Sequence, residues 1–304
     1  MNKFKRSWLL MKSSLSVVGR NKLLLVFPIV IFICTVTIIL FFLAPPVLRP
    51  TGYGYASAEH WQAISHSLFK ESGGQGGQVI FSPGAMAYLA FLYFVAMFIA
   101  TFCNVAFYHE ILAALTGQSV SIGRGLKFAA TKIKPILMWT LFAGLVGLII
   151  KAIEQRLSWV GQIIGKLIGV AWSVAAVFAI PVIVRDEQSV NPIGVLRKSA
   201  GVLKRTWGEA LIGYVGLSFA NVLILIGSIL WLAGATAVSI WLHNYWMIAF
   251  AVVGWLCALF AWGYVTSVAG QVYRGALYLY AAEGVIPAPY NQEMLNQAWK
   301  FKKS

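Results

Sequence analysis

Long apolar runs, rather than alternation, set the hydrophobic pattern of this chain. No charged residue occurs from Leu23 to Ala44, and none occurs from Ala210 to Tyr273. The second stretch accommodates two helices of about 20 residues and a connector, the length that a bilayer core requires. Hydrocarbon cannot satisfy bare backbone groups, so spans are helices or closed barrels, and unbroken apolar runs select helices. The pattern predicts an all-α, polytopic transmembrane helix bundle over residues 1–304, with six spans at 23–44, 84–108, 135–150, 161–184, 210–234 and 245–271. Residues 45–83 form an outer loop, with a short helix over 56–69 and the flexible connector Gly73-Gly74-Gln75-Gly76-Gly77. Residues 272–304 form a tail.

The segments that lead into outward-going spans change period. Phe4, Trp8, Met11, Leu15 and Val18 recur at spacings of four and three, which places them on one stripe of a helix over 1–22 whose other faces carry Lys3, Lys5, Arg6 and Lys12. Ile193, Leu196, Ala200, Leu203 and Trp207 repeat the arrangement beside Arg197, Lys198, Lys204 and Arg205. Leu126, Ala130 and Ile133, beside Lys127, Lys132 and Lys134, form a weaker version before the third span. The chain therefore reads as three units, each a basic amphipathic interfacial helix, an outward span, a connector and an inward span. The eight residues Lys3, Lys5, Arg6, Lys12, Arg197, Lys198, Lys204 and Arg205 are the expected lipid-surface contacts.

Composition turns this pattern into an exclusion and charge gives it a direction. Hydrophobic residues make up 60% and charged residues 11% of the chain, against about 25% charged in soluble domains. A water-soluble enzyme, a disordered tail and a coiled coil are excluded. Lys and Arg number 24 against 9 Asp and Glu, a formal charge of +15, and 19 of the 24 fall on the side that holds both termini. Positive charge is retained on the inner side, so both termini are expected in the cytoplasm. The basic N-terminus followed by a 22-residue apolar run reads as an uncleaved first span, since a signal-peptide core is about 7–15 residues. Cys34, Cys103 and Cys257 all lie in apolar stretches and read as small hydrophobes.

Several strings carry a family resemblance. These are SWLLMKSSLSVVGRNKLLLVFP (7–28), NVAFYHEILAALTGQSVSIGRGLKFA (104–129), GVAWSVAAVFAIPVIVRDE (169–187) and LRKSAGVLKRTWGEALIGYVG (196–216). The chain resembles a prokaryotic family of six-span integral membrane proteins of unknown function, over most of its length and least in the outer loop and C-terminus. The resemblance implies the prokaryotic cytoplasmic (inner) membrane and supplies no substrate, reaction or site residue.

Chemistry must then be sought in the residues themselves. No H-E-x-x-H, G-x-S-x-G or cysteine cluster occurs, and no catalytic residue, metal ligand or cofactor is expected. Tyr108-His109-Glu110 reads as an interfacial anchor, because adjacent helix positions point about 100° apart. Ionisable groups near the membrane are functional candidates by default. Lys151 and Glu154 share a helix face and suit an ion pair, with Lys166 either snorkelling or lining a cavity open to the outside. Asn104 and Asn221 are expected to face other helices. Gly161, Gly165, Gly169 and Ser173, at intervals of four, keep one face of the fourth span free of bulk for another helix or a second copy of the chain. The expected function is non-catalytic: handling or organising anionic lipid, or transporting a lipid-like substrate. A membrane scaffold or accessory subunit is the alternative, and an intramembrane enzyme ranks behind both. Nucleic acid is not an expected partner, since the basic residues are spread along span ends.

Overall fold

A computed structural model describes residues 3–71, 79–156, 159–186, 191–243 and 246–291. The elements in order are α1 (Lys3–Arg20), α2 (Val26–Val47), α3 (Ala58–Leu68), the three-residue strands β1 (Phe69–Glu71) and β2 (Val79–Phe81), α4 (Pro83–Leu115), α5 (Ile122–Thr131), α6 (Ile133–Arg156), α7 (Trp159–Ala175), α8 (Ala179–Arg185), α9 (Pro192–Trp241) and α10 (Trp246–Glu283). The fold is an all-α polytopic bundle with, among the described residues, one antiparallel strand pair between α3 and α4, in which Phe69 faces Phe81. Six helical segments are long and apolar enough to cross a membrane: Lys22–Val47, Pro83–Leu115, Ile133–Glu154, Gly161–Arg185, Ile224–Trp241 and Trp246–Glu283.

Three helices outrun the bilayer. With 33, 38 and 50 residues, α4, α10 and α9 extend about 50, 57 and 75 Å, against a hydrocarbon core of about 30 Å. The surplus lies at one end, where the buried residues concentrate. Residues 105–115 of α4, 179–184 of α8, 268–279 of α10, Val195 and Val202 of α9, and Leu10, Val17 and Val18 of α1 form one hydrophobic cluster, here called the base. Further along the spans Phe32, Phe41, Leu230, Trp231, Phe250 and Phe260 are exposed, as apolar side chains facing lipid must be.

The base revises two expected boundaries. The sixth helix continues past residue 271 to Glu283, so its last three turns belong to the core rather than to a tail. The expected interfacial helix at 193–207 and the fifth span are one uninterrupted helix, α9, opened by Pro192 and capped by Asn191, whose Oδ1 accepts from the Ile193 N–H at 3.0 Å.

The basic helices pack on protein through faces rotated from the expected stripes. In α1 the buried positions are Leu10, Met11, Ser13, Ser14, Val17 and Val18, with Leu15 half-buried, and the helix lies against α9 and α10. Ser14 Oγ donates to the Leu10 carbonyl at 3.0 Å, so the Tyr290 hydroxyl donates to Ser14 across 2.7 Å and ties the segment after α10 to α1. Burial pushes the Tyr290 phenol well above its usual range, which keeps that donor proton in place. In α5 the buried residues are Gly125 and Ala129, whereas Ala130 and Ile133 are exposed. At the base end of α9 they are Val195, Ser199 and Val202, whereas Ile193 is exposed. Small side chains at Ser14, Gly125 and Ser199 mark the contact faces because they let backbones approach. The side chains of Phe4, Trp8 and Trp207 lie outside the described residues.

The fourth span is broken. α7 ends at Ala175 and α8 begins at Ala179, and fully buried Ser199 of α9 bridges the gap. Its Oγ donates to the Ala175 carbonyl at 2.6 Å and accepts from the Phe178 N–H at 3.0 Å. One hydroxyl thereby satisfies a donor and an acceptor that the break would otherwise orphan.

Candidate functional site

The base owes its charged architecture to one carboxylate. Glu110, near the C-terminal end of α4, has no exposed side-chain surface. Arg124 grips it with a two-pronged fork, Nε to Oε1 at 2.9 Å and Nη2 to Oε2 at 2.6 Å. The Ser121 N–H donates to Oε2 at 2.7 Å, and His109 Nδ1 lies 3.0 Å from Oε1. These partners staple α4 to α5 across a tight connector in which Gly117 takes φ +84°. Gly125 permits the approach: a Cβ there would lie 2.9 Å from the Ala106 carbonyl oxygen and 3.0 Å from Glu110 Cγ. The expected interfacial-anchor role of Tyr108-His109-Glu110 is corrected. Glu110 turns inward as a structural counter-ion, and His109 reaches it although the two are sequence neighbours.

His109 also stacks on Phe128, with ring centroids 4.0 Å apart. Lys132 sits over the same ring, 5.8 Å from its centroid, and donates to the Asp186 main-chain carbonyl at 3.2 Å. At the end of α8, Arg185 forks onto Glu283 at 2.9 and 3.1 Å, and Asp186 pairs with Lys198. Between these groups lies a cavity of about 460 Å³, with His109, Thr116, Gln118, Thr131, Lys132 and Arg185 on its polar walls. A second cleft of about 430 Å³ lies on the other side of Arg185 and includes Lys198, Arg205 and Tyr278. A third space, an apolar groove of about 540 Å³, runs between α7 and α9 and is lined by Leu167, Val170, Val174, Ala200, Leu203 and Lys204.

The residues picked from sequence fall in different places. Lys12, Arg197, Lys204 and Arg205 are exposed. Lys198, expected on the lipid surface, is engaged by Asp186 because the start of α9 packs beside the end of α8. Lys151 and Lys166 are exposed, and among the described residues neither forms an ion pair. Half-buried Glu154 lies along the glycines of α7 instead: a Cβ at Gly165 would meet its Cγ at 2.6 Å, and one at Gly169 would lie 3.6 Å from Ile150. Gly161 and Gly165 are buried, so this stripe receives α6 of the same chain, and exposed Ser173 donates to the Gly169 carbonyl at 2.9 Å. Asn104, expected to bond across helices, donates to the Ala100 carbonyl of its own helix at 2.8 Å. The side chains of Lys3, Lys5, Arg6 and Asn221 lie outside the described residues.

In α3 His60 is buried with its ring nitrogens near Thr51 Oγ1 at 2.7 Å and the Val47 carbonyl at 3.4 Å. Among the described residues no three His, Cys, Asp or Glu side chains come together as a metal-ligating group. Sequence reasoning missed Glu110 with Arg124, and Ser199. The available signal was an acidic residue close to the end of an apolar helix, a position that calls for a named partner.

No curated protein and no solved structure matches this chain. A family model does, over residues 84–287, from the start of α4 past the end of α10, and so covers most of the base. The chain belongs to that family, described as a family of unknown function (DUF6159).

Proposed function

We propose that this protein is a non-catalytic, multi-pass protein of the prokaryotic cytoplasmic membrane that holds anionic phospholipid of the inner leaflet, with both termini and the base in the cytoplasm. The observation that carries this reading is the groove between α7 and α9. Its lining is apolar at Leu167, Val170, Ala171, Val174, Ala175, Ala200 and Leu203, and Lys204 is its charged member. Ser199 ties the base end of α9 to the end of α7, so the groove lies on the bilayer side of that bond. A side chain on a helix leans toward the helix N-terminus, which for Lys204 is the base, so its ammonium reaches back toward the headgroup layer. An acyl chain along α7 with its phosphate at Lys204 satisfies both parts of the groove. The residues Ala200 and Leu203, picked out by the sequence stripe, are among its lining.

A Lys near an anionic leaflet contributes about 1 kcal/mol, a factor of about five in occupancy. The test is mass spectrometry of lipid co-purifying with the full chain from a membrane of known phosphatidylglycerol content. Wild type should carry phosphatidylglycerol in excess of its share of the membrane. The Lys204→Gln variant should lose most of the excess, and Ala171→Phe, which fills the groove from an exposed position, should lower total bound lipid. Equal enrichment in all three proteins would contradict the proposal.

A further inference from the structure

The lipid groove leaves the polar cavity beside His109 unexplained. We infer that this cavity is a binding site for a phosphate-class anion, either a free phosphate compound or a lipid headgroup.

The reasoning starts from which charges around the cavity are already answered. Among the described residues three carboxylates stand near it, and each has its own cation: Glu110 has Arg124, Asp186 has Lys198, and Glu283 has Arg185. These three acids are thus engaged with groups that hold the helices together. Lys132 is different. Its ammonium donates to the Asp186 main-chain carbonyl, a neutral acceptor that orients the group without cancelling its charge. Arg185 has a full guanidinium of five N–H groups, of which the fork onto Glu283 uses two. Among the described residues the remaining three have no partner, on a side chain that lines both base clefts. His109 presents the ring nitrogen that Glu110 does not engage. Thr116, Thr131 and Gln118 add neutral polar groups to the wall, while Leu112, Ala113 and Val184 close the apolar floor.

The scaffold around these donors is fixed. His109 is held by Glu110 on its edge and Phe128 on its face, and Lys132 by Phe128 and Asp186. The end of α5 and the end of α8 bring the two cationic groups, Lys132 and Arg185, to one space of about 460 Å³, room enough for a phosphate and its substituent. Tetrahedral oxyanions are the ligands that use ammonium and guanidinium donors converging from different directions, and Arg and Lys are the usual phosphate partners. A carboxylate ligand would use only part of that set.

The test measures equilibrium binding of radiolabelled inorganic phosphate to the full chain in lipid nanodiscs, at constant ionic strength. In phosphatidylcholine discs the wild type should bind phosphate saturably. Lys132→Gln, which keeps an N–H donor for the Asp186 carbonyl, should weaken binding about tenfold, the usual effect of losing a charged hydrogen bond. Thr131→Trp, an exposed position on the cavity wall, should block it. Lys127→Gln removes the same charge from exposed α5 surface outside the cavity and should change nothing.

Phosphatidylglycerol discs then decide the source. Loss of phosphate binding there identifies a headgroup as the resident ligand, and unchanged binding identifies a soluble phosphate compound. Absence of saturable binding in phosphatidylcholine discs overturns the site. Equal weakening by Lys127→Gln and Lys132→Gln also overturns it, since that is the behaviour of diffuse surface charge. The Lys204→Gln protein should bind phosphate normally, so this site and the α7/α9 groove succeed or fail separately.

Discussion

Replacing Glu110 by Ala is expected to destabilise the base by about 3–5 kcal/mol, the cost of removing one partner from a buried ion pair. The loss is large because four donors converge on one carboxylate: two from Arg124, one from Ser121 and one from His109. Arg124 retains 38% side-chain exposure, so water can reach the stranded guanidinium, and the low end of that range applies. The Ser121 N–H lies at the start of α5 and loses its acceptor outright. Glu110→Gln keeps the shape and one acceptor oxygen and should cost less. The double variant Glu110→Ala with Arg124→Ala should be less destabilised than the sum of the single changes, by about 1–3 kcal/mol for residues in one network. Equilibrium unfolding in mild detergent checks this, with hydrogen exchange over α5 reporting the local effect. A Glu110→Ala protein within about 0.5 kcal/mol of wild type, the range of ordinary surface changes, would show that the carboxylate does not hold the α4–α5 corner.

Ser199→Ala is expected to cost about 2–6 kcal/mol, because it orphans two buried backbone groups at about 1–3 kcal/mol each. These are the Phe178 N–H and the Ala175 carbonyl, on either side of the break between α7 and α8. Phe178 is itself buried in the core, so no water stands ready to replace the hydroxyl. Ser199→Cys fits a similar volume with a weaker donor and should fall between wild type and Ala. Amide exchange at Phe178 reads the effect directly: protection should drop in Ser199→Ala before the protein unfolds globally. Unchanged protection there would mean that the break is held by something other than this bridge.

The six spans were legible because burial in lipid demands apolar runs of a set length, a requirement that leaves a mark in every segment. The base was not legible, for a physical reason visible at Ser14, Gly125 and Ser199. A stripe search weights large apolar side chains, but the faces that pack most closely on neighbouring helices carry small residues. The inward face of each basic helix is therefore offset from the expected stripe, of which Met11, Val18, Leu15, Leu126, Leu196 and Leu203 still pack on the core. In the α9 stripe Leu196 and Leu203 touch the core, and Ala200 and Leu203 also line the groove beside α7. Partner identity was hidden as well. Glu110 and Arg124 are 14 positions apart and meet only because Gly117 turns the chain and Gly125 lets α5 close on α4. The glycines of the fourth span did announce a close contact, but spacing alone could not distinguish α6 from a second copy of the chain.

Charge was the most informative part of the composition and also the most ambiguous. Lys198, Arg185 and Arg124 were counted as inner-side positive charges, yet each is matched by a carboxylate within the base. Orientation therefore carries the whole functional reading, since a groove with Lys204 in its lining addresses the inner leaflet only if the base faces the cytoplasm.

Cysteine accessibility tests that orientation most directly. In a protein with Cys34, Cys103 and Cys257 replaced by Ala, a single reporter is placed at Glu59→Cys in α3 or at Lys127→Cys in α5, both exposed positions. A membrane-impermeant maleimide added to intact spheroplasts should label Glu59→Cys, and should label Lys127→Cys only after the membrane is opened. Labelling of Lys127→Cys in sealed spheroplasts, with Glu59→Cys protected, would contradict the account.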